Sequence, residues 1–498
     1  MYLLGIDIGT SSTKSVIFDY HGNVISTASK EYIYSAPQPG YAEQNPEEWW
    51  EAVIFSIKTA VQSAEIQPKD IDALSLSGQM HGLVPLDKNG NVVRKAILHC
   101  DVRAGAEAEE IHKYCGKEFQ NITYNPIFPG FQAVSLYWIK KHEPALFKRI
   151  AHSLCPKDYI RYRMTGKIGT EQTDASGTLL YDMEKSEWSN EIFHMLGLDI
   201  GIVPQDIRHS YDLAGTLTKI AADETGLWEG MPVAYGGADQ AMQSSGNGVI
   251  NSDVLMATIG TSGQVLKIIK KPVLNPQFNT HTFQHVDDGS WYALGAILYA
   301  GSTLNWFKRT FCENLSFEEM SSLAAKATPC CNGLVFLPCM GGERTPYVDP
   351  NARGIFCGIT MANTKDDFIR AIMEGVSFAV KTSIEVIENL YGTSEKLICA
   401  GGGVKGNVWA QIQADIYGQD IFASMIKEQA CLGAAMMAGI AIGKFQNLSD
   451  AKKNMCSSRM RDIHYSPERH AIYQKYFEEV YSNLYELNHQ LFDRMKHY

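Results

Sequence analysis

The feature that most constrains the fold of this chain is a short peptide that occurs twice. The tetrapeptide Ile-Gly-Thr-Ser stands at residues 8–11 and returns unchanged at 259–262, close to half of the 498-residue length later. Each copy lies between two apolar runs, which is a strand–turn–strand context. A four-residue repeat arises by chance about once in a chain of this length, so the shared context and the offset carry the inference. They predict two duplicated lobes, at residues 1–247 and 248–498.

Turn and cap signals predict alternating strands and helices. Apolar runs at 3–7, 13–19 and 24–27, separated by glycine turns, predict a hairpin meander. N-cap signals at Asn45 and Thr364 predict helices that end near residues 64 and 391. Buried strands are predicted at 71–77, 232–235 and 397–400, short helices at 241–248 and 408–417, and a closing C-terminal helix at 473–491. This alternation is typical of an α/β protein.

Composition narrows the functional class. The chain is 45% hydrophobic and 20% charged, which is typical of a globular protein and excludes disorder, collagen and coiled coil. A net charge of −11 with no basic stripe argues against nucleic acid or an anionic membrane as a partner. The 11 cysteines form no C-x-x-C pair, the first ten residues lack a secretory signal, and the apolar run 430–443 is too short to cross a bilayer. We therefore expect a cytoplasmic protein whose partners are small molecules.

The two Gly-Thr-Ser turns predict a phosphate clamp. Backbone N–H groups and hydroxyls at a tight hairpin converge on phosphate oxygens, and two such turns facing each other would hold a polyphosphate between the lobes. One copy alone would more often be an ordinary turn, and no Walker loop is present. Asp7 ends the strand before the first turn, where it is placed to hold Mg²⁺ directly or through water. Alone, such a residue is more often a cap.

Three other glycine-flanked segments are candidate ligand sites. Gly401–Gly403 follows a predicted strand and suits an adenine or ribose, with a plain strand-to-helix turn as the alternative. Asp239 follows two glycines at a strand end and would project into the cleft as a general base, with an N-cap as the alternative. Met80 and His81 stand between glycines and predict a small-molecule pocket, although a lone histidine is more often structural.

Taken together, these motifs resemble the FGGY family of carbohydrate kinases, from residue 4 to about 444. The segments that carry the resemblance are 5–14 and 259–263 as the two phosphate motifs, 401–411 with 414–415 as the adenosine motif and second signature, and the typical 336–338 and 342–346. The resemblance implies an actin/hexokinase-type fold, in which two ribonuclease-H-like lobes bind ATP and sugar in the cleft between them.

The resemblance also implies roles for single residues. Asp239 takes the place of the catalytic base, and Asp7 matches the acidic residue near Mg²⁺, which accompanies ATP as co-substrate. The implied sugar contacts are Met80, His81, Asp101, Arg103, Asp239 and Gln240. The implied ATP contacts are Gly9, Thr10, Ser11, Thr13, Gly260, Thr261, Gly402, Gly403 and Asn407. Many members of the family are dimers, so a homodimer is among the expectations.

The implied reaction is phosphorylation of the terminal hydroxyl of a ketopentose, with D-xylulose as the first candidate. Three positions depart from the pattern of the xylulose-phosphorylating members: His99 stands where Trp is usual, Gln240 where Asn is frequent, and Ser135 where Lys is usual. These departures concern the sugar, so gluconate, ribulose, L-xylulose or a polyol such as erythritol are alternatives. Two rival classes are an ATPase switch, which would need an added partner surface, and a non-catalytic sugar sensor, which would lack Asp239.

Overall fold

Two lobes, each built on a seven-stranded mixed sheet, make up the structure, which is a computed structural model describing residues 1–456 and 459–495. The strands of the first sheet are Tyr2–Ile8 (β1), Ser12–Asp19 (β2), Val24–Glu31 (β3), Ile71–Gly78 (β4), Leu213–Thr216 (β5), Pro232–Ala234 (β6) and Gly237–Ala238 (β7). Those of the second are Val254–Ile259 (β8), Gly263–Ile269 (β9), His281–Gln284 (β10), Trp291–Ile297 (β11), Lys396–Gly401 (β12), Ile421–Ser424 (β13) and Met460–Ile463 (β14).

Helices surround the sheets. They are Pro46–Ala64 (α1), Gly105–Thr123 (α2), Gln132–His142 (α3), Pro144–Phe147 (α4), Pro156–Thr165 (α5), Gln172–Ser176 (α6), Asn190–Leu196 (α7), Lys219–Thr225 (α8), Asp239–Gly246 (α9), Gly301–Phe311 (α10), Phe317–Ala324 (α11), Lys365–Tyr391 (α12), Asn407–Tyr417 (α13), Gln429–Ala441 (α14), Leu448–Met455 (α15), Pro467–Tyr476 (α16) and Ser482–Met495 (α17). Shorter strands pair outside the sheets at Glu43–Gln44, Val84–Leu86, Ala96–Ile97, His152–Leu154, Thr170–Glu171, Tyr181–Asp182, Glu187–Trp188, Ile207–Arg208, Val335–Leu337 and Ile355–Cys357. None of the helices in these ranges is long and apolar enough to cross a membrane.

The two sheets repeat the same core topology, which confirms the predicted α/β fold of two duplicated lobes. In the first sheet the strand order is β5-β6-β4-β1-β2-β3, with β7 also paired to β4; β1 runs antiparallel to β2 and parallel to β4. In the second the order is β10-β11-β9-β8-β12-β13-β14, and β8 is likewise antiparallel to β9 and parallel to β12. Both Gly-Thr-Ser turns therefore join the central strand to its antiparallel neighbour, and each is closed by a glycine N–H bond, Gly9 to Ser12 O at 3.0 Å and Gly260 to Ser262 O at 2.9 Å.

Capping residues determine where the two longest predicted helices begin. The side chain of Asn45 accepts the Glu47 N–H at 3.2 Å, so α1 begins at Pro46 and ends at Ala64 as predicted. Thr364 and Asp367 form a reciprocal capping box, and α12 runs to Tyr391 as predicted.

Two predicted helices differ from the structure. Helix α9 begins at Asp239 rather than at residue 241, because Ala238 is the last residue in an extended conformation and no side chain caps the helix. The closing stretch 473–491 is not one helix: α16 and α17 are joined by a π-helical turn, Phe477–Tyr481. The extra residue of that turn lets both aromatic rings of 477 and 481 pack on Phe378, with centroid separations of 5.7 and 5.0 Å.

Helices α9 and α14 join the lobes. Each follows the last parallel strand of its own sheet, and the two pack on each other with their backbones in contact. A Cβ on Gly433 would lie 2.0 Å from the carbonyl oxygen of Met242, and one on Gly246 would lie 1.9 Å from that of Gln429. Helix α14 also covers β1, where a Cβ on Gly5 would lie 1.9 Å from Cys431 O. Residues 429–455 thus pack into the core of the first lobe, although they come late in the chain.

Candidate active site

Asp7 lies near the C-terminal end of β1, beside the first Gly-Thr-Ser turn. Its Oδ1 accepts a hydrogen bond from Ser77 Oγ at 2.7 Å, and its Oδ2 has no hydrogen bond to any residue in the described ranges. Burial raises the pKa of Asp7; the Ser77 hydroxyl and Lys14 oppose the shift, and Glu428 adds to it. Lys14 is directly opposite Asp7 in the β1–β2 register, and its Nζ forms an ion pair with Glu428 Oε2 at 2.7 Å.

Asp239 is the first residue of α9. Burial raises the pKa of its carboxyl to about 7, the negative charge of Asp7 adds to the shift, and the N–H groups of Gln240 oppose it. A carboxylate with a pKa near neutrality can take up a proton during a reaction and release it afterwards. The Oε1 atom of Gln240 is buried and has no hydrogen-bond partner within the described parts of the chain, so its acceptor is available to a ligand.

Buried polar groups of the first lobe fix the backbone that leads into Asp239. The Ala238 N–H donates to Thr173 Oγ1 at 2.8 Å, and that hydroxyl in turn donates to Glu171 Oε1 at 2.8 Å. Lys157, fully buried, donates to Asp158 Oδ1 at 2.8 Å and lies 3.5 Å from Glu171 Oε1. The start of α9 therefore has little freedom to move, which keeps the Asp239 carboxylate in place.

Met80 and His81, the predicted sugar contacts, pack against Gly177 in the first lobe. His81 has a φ of 68°, and its Nδ1 lies 2.6 Å from the carbonyl oxygen of Gly177. Since a carbonyl only accepts, Nδ1 carries the hydrogen and Nε2 carries the lone pair. Burial lowers the pKa of His81 to about 3, so the ring is neutral at physiological pH. The hydroxyl of Tyr292 donates to Met80 Sδ at 3.6 Å, and the ring of Phe131 lies 4.0 Å from the His81 ring.

Two glutamine side chains form hydrogen bonds with the first phosphate turn. Thr10 Oγ1 donates to Gln79 Oε1 at 3.3 Å, and Gln44 Nε2 donates to Thr10 O at 2.7 Å. Gln79 Nε2 also contacts Gly9 O at 3.3 Å. Ser11 stays exposed at the tip of the turn. These contacts to its hydroxyl and carbonyl groups hold the turn in place.

Thr13 differs from the other residues of this turn. It is fully buried, and its hydroxyl lies 3.1 Å from Tyr32 Oη, which itself donates to Gly9 O at 2.7 Å. The Thr13 hydroxyl is therefore used inside the protein, and its predicted contact with ATP stays a prediction.

The second lobe carries a cavity of about 740 Å³ at the other phosphate turn. Gly260 and Thr261 lie at one end of it, and Gly402 and Gly403 form a flat backbone wall. Its apolar walls are formed by Leu304, Phe317, Met373 and Trp409. The size and the mixture of apolar side chains with glycine backbone suit a nucleotide. Asn407 lies outside the lining, where its Oδ1 accepts from Arg461 at 2.5 Å.

The predicted sugar contacts Asp101 and Arg103 are paired with each other. Their side chains are 1% and 2% exposed and bind each other, with Arg103 Nη2 2.7 Å from Asp101 Oδ2. Arg103 also pairs with Glu43 at 2.7 Å and stacks over the ring of Tyr41 at 3.8 Å. With their charges and bonds already satisfied, these two residues hold the loop together, and a sugar contact through them stays a prediction.

Sequence reasoning missed several groups near the site. Lys14 stood inside the quoted motif but was given no role, and its partner Glu428 is 414 positions away in the chain. Gln79 and Ser77, which hold Thr10 and Asp7, carried no signal of their own because their use depends on the parallel pairing of β1 with β4. Only the spatial arrangement reveals them.

Comparison with known proteins identifies the family to which this chain belongs. Residues 2–246 match the N-terminal domain of the FGGY family of carbohydrate kinases, and residues 255–442 match its C-terminal domain. This chain belongs to the FGGY family. It is therefore a phosphotransferase that uses ATP and an alcohol group of a carbohydrate, as the sequence predicted.

Individual relatives match this FGGY kinase along almost its whole length. A xylulose kinase from Bacillus subtilis (strain 168) is 38% identical over 485 residues, which cover 97% of this chain and 96% of the relative. The solved structure of ligand-bound xylulose kinase from Lactobacillus acidophilus has a TM-score of 0.92 and 25% identity, with 99% of both chains covered. A gluconate kinase structure from the same organism has the same TM-score, 26% identity and 99% coverage of both chains. Because the backbone is equally similar to a xylulose kinase and to a gluconate kinase, backbone similarity alone does not identify the acceptor sugar.

Proposed function

We propose that this kinase transfers the γ-phosphoryl group of ATP to the terminal hydroxyl of D-xylulose, giving D-xylulose 5-phosphate. The observation that carries the proposal is the end-to-end similarity to the B. subtilis xylulose kinase, at 38% identity. We place the reaction in the cytoplasm, which is consistent with the free state of the cysteines. The absence of a nucleic-acid partner, the homodimer and the lobe boundary at 247/248 stay predictions.

Asp239 acts as the general base in this proposal. Its pKa of about 7 lets the carboxylate accept the proton of the acceptor hydroxyl as the oxygen attacks phosphorus. His81 Nε2 accepts a hydrogen bond from another sugar hydroxyl, and Gln240 offers the free oxygen of its amide. Phosphoryl transfer passes through a loose transition state, so positioning and charge neutralisation supply most of the catalysis.

The two Gly-Thr-Ser turns hold the triphosphate, and the cavity beside Gly402 and Gly403 holds the adenosine. The N–H groups of Thr10 and Ser11 in the first turn and of Thr261 and Ser262 in the second are the donors, since those of Gly9 and Gly260 close their own turns. Lys14 adds a positive charge close to Asp7 and the first turn.

The residues present fit a magnesium ion at Asp7. Its Oδ2 has no hydrogen bond within the described ranges, and the negative charge of Asp7 acts on Asp239, so a cation between them and the phosphates would relieve the repulsion. Mg²⁺ prefers oxygen ligands and keeps several waters, so Asp7 would hold it directly or through water. When bound, Mg²⁺ neutralises charge on the phosphate oxygens.

The test is ADP release with Mg-ATP over a panel of acceptors: D-xylulose, L-xylulose, D-ribulose, gluconate, glycerol and erythritol. We expect the highest kcat/KM with D-xylulose, because two relatives that are 38% and 32% identical to this chain and cover 97% and 98% of it are xylulose kinases. Gluconate is the competing acceptor, since the gluconate kinase structure is equally similar in backbone. A higher kcat/KM for any other panel member would overturn the assignment of D-xylulose and leave the FGGY kinase chemistry in place.

Lys14→Met is expected to raise the KM for ATP by about tenfold, because a hydrogen-bonded charge on the phosphates is worth about 1.5 kcal/mol. The KM for the sugar should change little, since Lys14 faces the first phosphate turn. Steady-state kinetics with each substrate varied would measure both. Lys30→Met, in the neighbouring strand, is the matched control because its Nζ pairs with exposed Glu51 at 3.8 Å. Equal changes in both KM values for Lys14→Met would contradict a phosphate contact.

A further inference from the structure

Arg344 is a cation near His81 without an anionic partner among the described residues. It is partly buried, and its guanidinium makes no hydrogen bond or ion pair with residues 1–456 or 459–495; its ring contact is with Phe128, at 5.2 Å. The adjacent Glu343 attracts it, but that carboxylate accepts the backbone N–H groups of Leu298 at 2.9 Å and Arg344 at 2.8 Å. The guanidinium nitrogens are not fully buried, so these unpaired donors are open to a ligand.

Unpaired imidazole nitrogens surround this guanidinium. The Nδ1 atoms of His99 and His281 are buried and have no hydrogen-bond partner among the described residues. Arg344 acts electrostatically on both rings and on His81. Burial, together with the charge of Arg344, lowers the pKa of His99 to about 4, so this ring is neutral. Buried polar atoms are seldom left unpaired, so several of them around one cation indicate a binding site.

Tyr292 and His81 connect this cluster with Asp239. Tyr292 is within electrostatic range of Asp239, and its hydroxyl bonds Met80 Sδ, next to His81. The His81 ring packs on the ring of Phe131 and is within electrostatic range of Arg344. An acceptor with its terminal hydroxyl at Asp239 and its middle at His81 therefore presents its other end to Arg344. In a 2-ketopentose that end holds the C2 carbonyl and the C1 hydroxyl.

We propose that Arg344 donates to the carbonyl oxygen of the acceptor and so selects 2-ketoses over the corresponding polyols. The proposal rests on the function proposed above. A carbonyl oxygen only accepts, so it meets a guanidinium fork without bringing a hydrogen toward the cation. In the corresponding polyol, this carbon is tetrahedral and its hydroxyl carries a hydrogen of its own. Because this oxygen is remote from the attacking hydroxyl, the contact contributes to binding the substrate and the transition state alike, and its loss changes KM more than kcat.

The experiment compares wild type with Arg344→Gln, which keeps a polar side chain but removes the charge. We expect the KM for D-xylulose to rise by about 10- to 100-fold, the size expected when a hydrogen bond from a charged group is lost. The inhibition constants of xylitol and D-arabinitol, the two products of reducing its carbonyl, should change by less than about threefold, within the few tenths of a kcal/mol typical of a position without a contact. Arg344→Lys should recover part of the affinity, since it restores the charge but not the fork.

Two controls separate a specific contact from a structural effect. Arg353→Gln lies in the same segment, where Arg353, among the residues that the structure describes, bonds only the backbone oxygens of Pro350 and Ala352, and it should keep the wild-type preference for the ketose. The KM for ATP and the melting temperature of Arg344→Gln should stay at wild-type values. Equal losses for D-xylulose and both polyols would overturn the role of Arg344 while the proposed function stands. A wild-type enzyme that does not phosphorylate D-xylulose would overturn the proposed function, and this inference with it, before any variant is compared.

Discussion

Asp239→Asn is expected to lower kcat by at least ~100-fold, because the carboxamide cannot accept the proton of the attacking hydroxyl. The substitution keeps the shape of the side chain and its place at the start of α9, where the Ala238 N–H remains bound to Thr173. The KM values for ATP and for the sugar should change far less than kcat. Initial rates of ADP release at saturating substrates would measure this, and an Asp239→Asn enzyme with most of its activity would contradict the assignment of the base.

The pH dependence gives a second measure of the same residue. Burial and the charge of Asp7 raise the pKa of Asp239 to about 7, and only the ionised carboxylate accepts a proton. The wild-type kcat/KM should therefore fall about tenfold per pH unit below pH 7 and level off above it. The residual rate of Asp239→Asn should show no such inflection. A wild-type profile that is flat between pH 5.5 and pH 8, about one and a half units below to one unit above that pKa, would show that another group takes the proton.

Stability provides the control for misfolding. A carboxyl whose pKa is higher in the folded than in the unfolded state loses stability as the pH rises through the folded value, because the unfolded chain gives up its proton first. Removing this carboxyl should therefore raise the melting temperature at pH 8 and leave it nearly unchanged near pH 4. Asp239→Asn should thus be inactive and more stable at pH 8. A lower melting temperature at pH 8 would assign the lost activity to damage of the fold.

Local signals in the sequence predicted the elements that local interactions determine. The Asn45 cap with its following proline and the Thr364 box each involve neighbours in the chain, so the bounds of α1 and α12 followed from the letters alone. The repeated Gly-Thr-Ser peptide predicted the duplicated sheets for the same reason, because each turn and its flanking strands are contiguous. Asp7 and Asp239 were predicted as site residues because each stands near glycines at the end of a predicted strand.

Contacts between distant parts of the chain escaped prediction. Arg344 belongs to the second lobe, yet it acts on His81 and contacts Phe128 of the first, and no periodicity in the sequence reports that approach. The pair Asp101 and Arg103 illustrates the converse. Its spacing was visible, but Arg103 also pairs with Glu43, which is far away in the chain and is brought close by the pairing of Glu43 with Ile97. The contacts that these side chains make therefore depend on residues distant in the chain, and residue type alone does not predict them.

Gly433→Ala is expected to separate the two helices that join the lobes. The added Cβ would lie 2.0 Å from Met242 O and 2.8 Å from its carbonyl carbon, and both atoms are backbone that cannot rotate away. Overpacking of this kind costs about 1–3 kcal/mol or more, which lowers the melting temperature by about 2–4 °C per kcal/mol in lobes of this size. Calorimetry would measure the shift. Gly105→Ala is the matched control, since its Cβ would meet no atom within 4 Å.

The same substitution should also reduce catalysis. Helix α14, which carries Gly433, packs against β1, whose end bears Asp7, and against α9, whose first residue is Asp239. Moving α14 away from Met242 therefore changes the separation of the two carboxylates, and a displacement of about 1 Å at a reacting centre costs up to about 100-fold in rate. We expect kcat for Gly433→Ala to fall by about 10- to 100-fold at temperatures where the protein is still folded. A variant with wild-type melting temperature and kcat would mean that the helices are not in backbone contact. Since α9 carries Asp239 and α14 packs on the strand that bears Asp7, the contact between these two helices also determines the separation of the two carboxylates.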